Sequence, residues 1–220
     1  MKYLKHLIIV FVLLTQSITV LVAQETKAEN HYYEKMKSSL YTLYNAGNYE
    51  TFNMISRRLK KIAEEEETKW VPYYHASYAY IMTAFMAKEK YGIEELVNQA
   101  QNMIDKAIDL SPNNDEITAL QGFIYQARMI NKTGKSGADW AKKAVKEYDH
   151  ARFMNPENPR PYYLIGQMLY RLPPNYGGNK ENACKHFKDA EEKYNSFTPR
   201  SEFSPNWGKE ANAIMLSKCK

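Results

Sequence analysis

The chain has 220 residues and a formal net charge of +5, from 30 Lys and Arg against 25 Asp and Glu. That excess is too slight for a nucleic-acid-binding surface, which needs a strongly basic face. The length suits one domain with a sizeable core, and 18 tyrosines are the compositional feature that a functional reading must explain.

The first residues read as a secretory signal. Lys2, Lys5 and His6 form a basic start, and Leu7 to Leu14 is an unbroken apolar run. Thr15-Gln16-Ser17 interrupts it, Ile18 to Ala23 restores it, and Ala23 supplies a small residue before Gln24-Glu25-Thr26-Lys27. The competing reading is an uncleaved anchor, but Leu7–Ala23 is 17 residues with three polar ones in its middle, at the short end of what spans a bilayer. No cysteine follows the apolar run, which argues against a lipid anchor. Cleavage after Ala23 is therefore expected, giving an exported, periplasmic or secreted protein. It removes Lys2 and Lys5, two of the five excess positive charges, and leaves +3. The run Glu64 to Glu67 reads as a solvated helix end. Outside the cytoplasm Cys184 and Cys219 either form a disulfide tying the last helix to the one before it or remain two unpaired thiols.

After a short linker at 24–29, three- and four-residue apolar spacing predicts a helix from Asn30 to Ala46 carrying Tyr33, Met36, Leu40, Leu43 and Tyr44. Gly47-Asn48 breaks it, and a second helix carries Phe52, Ile55, Leu59 and Ile62, giving a hairpin over 30–66. The next hairpin, about 70–110, opens at Trp70-Val71-Pro72, where proline suits the first helical turn. It closes with Ala100-x3-Ile104-x2-Ala107-x4-Pro112. A third, about 114–155, contains Gly122 and Tyr125 and closes with Ala144-x3-Tyr148-x2-Ala151-x4-Pro156. A fourth, about 159–195, contains Tyr162, Ile165 and Gly166 and closes with Ala183-x3-Phe187-x2-Ala190. Pro205 to Ser217 is expected as a final helix whose Trp207, Ala211, Ile214 and Met215 cover the last hairpin. No strand-like alternation of any length occurs, so the chain is expected to be all-α.

Small residues recurring opposite rings, followed by a closing proline, resemble the tetratricopeptide repeat, whose pattern is W-x2-L-G-x2-Y … A-x3-F-x2-A-x4-P. The resemblance implies an α-solenoid of antiparallel helix hairpins, a right-handed superhelix ended by a C-terminal capping helix. The front tryptophan and leucine slots are mostly substituted. Pro112 to Pro156 spans 44 residues where the family uses about 34. The extra residues are expected between the paired helices, at Tyr91-Gly92, Gly134-Lys135-Ser136-Gly137 and Leu172-Pro173-Pro174-Asn175-Tyr176-Gly177-Gly178-Asn179.

Catalytic and metal chemistry find little support. Asn131-Lys132-Thr133-Gly134-Lys135-Ser136 ends like a phosphate-binding loop, but position 129 is methionine where that motif needs glycine, and a helix precedes it. His31, His75, His150 and His186 fall one per hairpin, with none paired at the i, i+4 spacing of a zinc site. No serine or cysteine sits in a nucleophile elbow. No catalytic residue, metal ligand or cofactor is expected, and the chain reads as a non-enzyme.

In tetratricopeptide proteins the front helices line a concave groove. Carried onto this chain, the groove offsets fall at Tyr41, Tyr44 and Asn45, at Tyr74, Tyr78 and Met82, and at Phe123 and Gln126. They continue at Arg160, Tyr163, Gln167, Tyr170 and Arg171. Rings with polar tips and arginines at one end suit a peptide or partner protein, with Arg160 and Arg171 pairing an acid or terminal carboxylate. The competing reading is a groove that closes on itself or is filled by the N-terminal linker. A second surface is the edge holding the long loops, where Lys88, Lys90, Lys132, Lys135 and Lys180 would meet an acidic partner or a membrane. The expected function is an exported interaction scaffold. The runner-up is an accessory of a transport system that encloses a small solute.

Overall fold

The computed structural model describes residues 26–87, 92–129 and 134–219. The expected signal segment, Lys88, Lys90, Tyr91 and Lys132 lie outside them. Nine α-helices occur among the described residues: α1 (26–44), α2 (Tyr49–Glu65), α3 (Trp70–Met86), α4 (Ile93–Leu110), α5 (Asp115–Arg128), α6 (Gly134–Met154), α7 (Pro159–Arg171), α8 (Lys180–Ser196) and α9 (Lys209–Ser217). A single 3₁₀ turn covers Pro174–Tyr176, and no strand is present among the described residues.

Asparagine starts many of these helices. The side chains of Asn48, Asn114, Asn158 and Asn179 each accept from a backbone N–H two or three residues on, at 2.8 to 3.0 Å. Each satisfies a donor that the first helical turn leaves orphaned. Pro159 follows Asn158 at the first position of α7, where its missing N–H costs nothing.

Sequence neighbours pack as pairs: α3 with α4, α5 with α6, and α7 with α8, while α3, α5 and α7 also touch in succession. The pairing depends on one repeated contact. An ideal Cβ on Gly122 would lie 2.5 Å from a Tyr148 ring carbon and 3.0 Å from the Ala144 carbonyl oxygen. One on Gly166 would lie 2.6 Å from the Phe187 ring and 3.2 Å from the Ala183 carbonyl oxygen. In α3 the same slot holds Ser77, whose hydroxyl donates to the Ala100 carbonyl at 2.9 Å. The rings opposite, Tyr148 and Phe187, are fully buried, as are Ala144, Ala151, Ala183 and Ala190.

Several boundaries differ from expectation. The extra residues of the third hairpin do not form a loop at Gly134–Gly137; they lengthen α6, which runs 21 residues from Gly134. The terminal helix begins at Lys209, not Pro205, with left-handed Gly208 (φ 104°) in front of it. Consequently Trp207 belongs to an irregular segment and not to a capping helix. Cys184 on α8 and Cys219, just beyond α9, are joined by a disulfide. It fixes the far end of that segment's continuation.

Candidate functional site

The groove residues from α3, α5 and α7 do converge, but the chain's own C-terminal segment covers them. Residues 197–208 contain no helix, cross the front helices and bury Ser204 and Trp207. The Trp207 indole stacks on Tyr78 (centroids 4.7 Å apart) and on Phe123 (5.8 Å), and its Nε1–H donates to the Tyr74 hydroxyl at 3.0 Å. Phe203 packs against Tyr32 and Tyr33, and its carbonyl accepts from His75 Nε2 at 2.8 Å. The Asn206 N–H donates to the Tyr44 hydroxyl at 3.3 Å, and the Tyr194 hydroxyl donates to the Trp207 carbonyl at 3.2 Å.

Arg160 is the pivot of this contact and is fully buried. Its guanidinium donates to Glu116 Oε1 at 2.8 Å and to the Pro205 carbonyl, and it lies over the rings of Phe197 (4.7 Å) and Trp207 (5.4 Å). The anion expected to come from a partner is thus internal. At the segment's start, Arg200 donates to Asp115 Oδ1 at 2.7 Å, while Asn155 and Asn158 donate to Asp115 Oδ2. Burial raises the Glu116 carboxyl to about 7 against the pull of Arg160, and burial lowers His75 to about 4.

The remaining predicted groove positions sort by depth. Gln126, Tyr163 and Gln167 are buried in a polar chain, in which Gln167 donates to the Tyr163 hydroxyl, Gln126 donates to Gln167 at 3.4 Å and Tyr148 donates to Gln126 at 2.8 Å. Met82 and Tyr170 are half-buried. Tyr41, Asn45 and Arg171 are exposed, and Tyr41 and Asn45 sit at the C-terminal end of α1. A free peptide groove is therefore corrected to an occupied one. The sequence signal was Phe203 and Trp207 in a proline-bearing loop, a spacing suited to filling a ring-lined trough.

An open cavity lies elsewhere, between α6 and the α7 end with its following loop. It has a volume of about 1060 Å³, just above the roughly 300–1,000 Å³ usual for small-molecule sites. Ala138, Ala141 and Val145 of α6 form one wall, with Met129 at one end. Met168, Leu169, Leu172 and Pro173 form the other, capped by Asn175, Tyr176 and Gly177. Lys142, Lys146 and Asp149 stand on the α6 rim. No histidine or cysteine is among the described residues that line it.

The loop over this cleft is a built element. The N–H groups of Tyr176 and Gly178 donate to the Pro173 carbonyl at 2.9 and 3.0 Å, and Asn179 N–H donates to the Leu169 carbonyl at 2.9 Å. A Cβ on Gly178 would fall 1.7 Å from the Leu172 carbonyl oxygen, so only glycine permits this closure. Tyr176 is held 47% exposed at the cleft mouth. The loop was singled out in the sequence, but the cleft was not. Its signal is a second small-apolar stripe on α6, Ala138-Ala141-Val145, beside the Ala144-Tyr148-Ala151 stripe that faces α5. Of the expected basic edge, Lys180 is described and exposed, with its ammonium 5.4 Å from the Tyr170 ring centre. Among the described residues no group of His, Cys, Asp and Glu is arranged to hold a metal ion, and no helix is long and apolar enough to cross a membrane.

No family model matches the sequence, and no curated protein matches it. The chain is similar in structure to the HusA haemophore from Porphyromonas gingivalis, with a TM-score of 0.76 and 25% sequence identity over 86% of this chain and 92% of that one.

Proposed function

We propose that this chain is an exported helical binding protein that takes up a haem-like tetrapyrrole in the α6–α7 cleft. The observation that carries the reading is a large cleft with apolar walls and lysines on its rim. Such a site suits a broad, flat, apolar molecule with acidic edges. The likeness to a protein described as a haemophore supports the ligand class and the exported location. The scaffold is read as a tetratricopeptide-like solenoid, supported by the small-residue slot that recurs at Ser77, Gly122 and Gly166. In this reading the chain is a carrier and not an enzyme. The occupied groove favours it over a peptide scaffold, because Trp207 and Arg160 already spend the groove's stacking and ionic contacts on the chain itself. Among the described lining residues the groups able to ligate iron are Met129, Met168 and Tyr176, and the apolar walls supply the ring contacts.

The test is a haemin titration of residues 24–220 followed by the Soret band and by tyrosine and tryptophan fluorescence. Saturable binding that Val145→Trp weakens by obstructing the α6 wall is expected. Binding that Val145→Trp leaves unchanged, or no saturable binding, would refute the proposal.

A further inference from the structure

The α6 rim of the cleft carries a charge pattern that narrows the ligand class. Lys142 and Lys146 are exposed and both border the cavity. Four residues apart on a helix, they share one face with side chains about 5–6 Å apart at Cβ. Neither ammonium makes an ion pair among the described residues. The one acid among the described residues of this rim, Asp149, is engaged by Arg152 at 2.8 Å. Two cations without counter-ions among the described residues thus stand side by side above an apolar floor of Ala141 and Val145. Their aliphatic stems can lie along that floor while the charged ends stay in water.

Resting on the tetrapyrrole reading, we infer that Lys142 and Lys146 read a pair of adjacent carboxylates, so that the cleft selects ring systems bearing two acid arms on one edge. The flat ring lies against the apolar walls. Its acid edge turns toward α6, and its opposite edge meets Leu172, Pro173 and Tyr176. Ring contact then supplies most of the affinity, and the lysines fix the orientation and reject esterified or uncharged analogues. Because the lysines face solvent, the charge contribution is modest and screened by salt.

The experiment compares protoporphyrin IX with its dimethyl ester by absorbance and fluorescence titration. The proteins are the mature chain and a Lys142→Met/Lys146→Met variant, which keeps apolar length and helix propensity while removing both charges. The parent chain should bind the diacid roughly tenfold more tightly than the ester, from two exposed pairs of about 0.2–1 kcal/mol each. The variant should bind both probes alike, with an unchanged helical spectrum. A preference for the diacid that survives in the variant, or equal binding of both probes by the parent chain, would overturn the carboxylate reading and leave the ring reading standing. Failure of the parent chain to bind either probe would overturn the ring reading and this inference together.

Discussion

Truncating Trp207 to alanine tests whether the C-terminal segment is seated in the aromatic groove. The indole is 6% exposed and stacked on two rings, and its N–H is bonded to the fully buried Tyr74. Replacing a buried tryptophan by alanine costs about 3–5 kcal/mol. An orphaned Tyr74 hydroxyl would add about 1 kcal/mol. A total of about 4–6 kcal/mol is a large share of the roughly 5–15 kcal/mol available to a domain. At roughly 2–4 °C per kcal/mol for this size, the melting temperature should fall by about 8–24 °C. Urea and thermal unfolding followed by circular dichroism give the number, and hydrogen exchange of residues 200–208 shows whether the segment has been released. Ile214→Ala, at a side chain 60% exposed on α9, is the control and should stay within about 0.5 kcal/mol of the parent. A loss below about 1 kcal/mol for Trp207→Ala would refute the seating and restore a free groove.

Gly122→Ala and Gly166→Ala should each destabilise by about 1–3 kcal/mol despite alanine's better helix propensity, because the new methyl meets a buried ring and a carbonyl; Gly47→Ala, with nothing within 4 Å, should be close to neutral in the same melts. Between pH 4.5 and 6.5 the raised Glu116 contributes stability that is lost as pH rises toward about 7, whereas the lowered His75 contributes stability that is lost as pH falls toward about 4. The two slopes oppose, so Glu116→Gln should leave stability rising with pH, relative to the parent, by about 1.4 kcal/mol per unit, and His75→Gln should leave it falling by about the same; parallel curves for parent and variants in pH-dependent urea melts would contradict this. Reducing the Cys184–Cys219 bridge, which closes a separation of 35 residues, should cost about 3–4 kcal/mol and raise exchange in α9 before other helices.

Much of the architecture was legible because it follows from residue size at fixed spacing. Gly122 against Tyr148 and Gly166 against Phe187 are pairs that the sequence pattern placed opposite each other, and the structure brings them into contact. Trp207 was misplaced because four residues before a helix read the same as its first turn until Gly208 adopts its left-handed conformation. The positions on α3, α5 and α7 converge, and a self-closed groove was the competing reading, but the segment that closes it could not be named, since an intramolecular segment and a foreign peptide recognise rings and an arginine by the same chemistry. Arg160 shows this most clearly: its anion, Glu116, lies 44 residues away, and no local spacing announces the pair. The cleft was missed for a different reason. Ala138, Ala141 and Val145 resemble ordinary core positions, and only the three-dimensional turn at Leu172–Asn179 shows that their face stands open.

The most direct measurement is a hydrogen-exchange footprint of residues 24–220 with and without haemin. Protection should be confined to α6, the C-terminal end of α7 and the 172–179 loop, with the 197–208 segment equally protected in both states. Protection or release at 197–208 with α6 unchanged would contradict it and place the ligand in the aromatic groove.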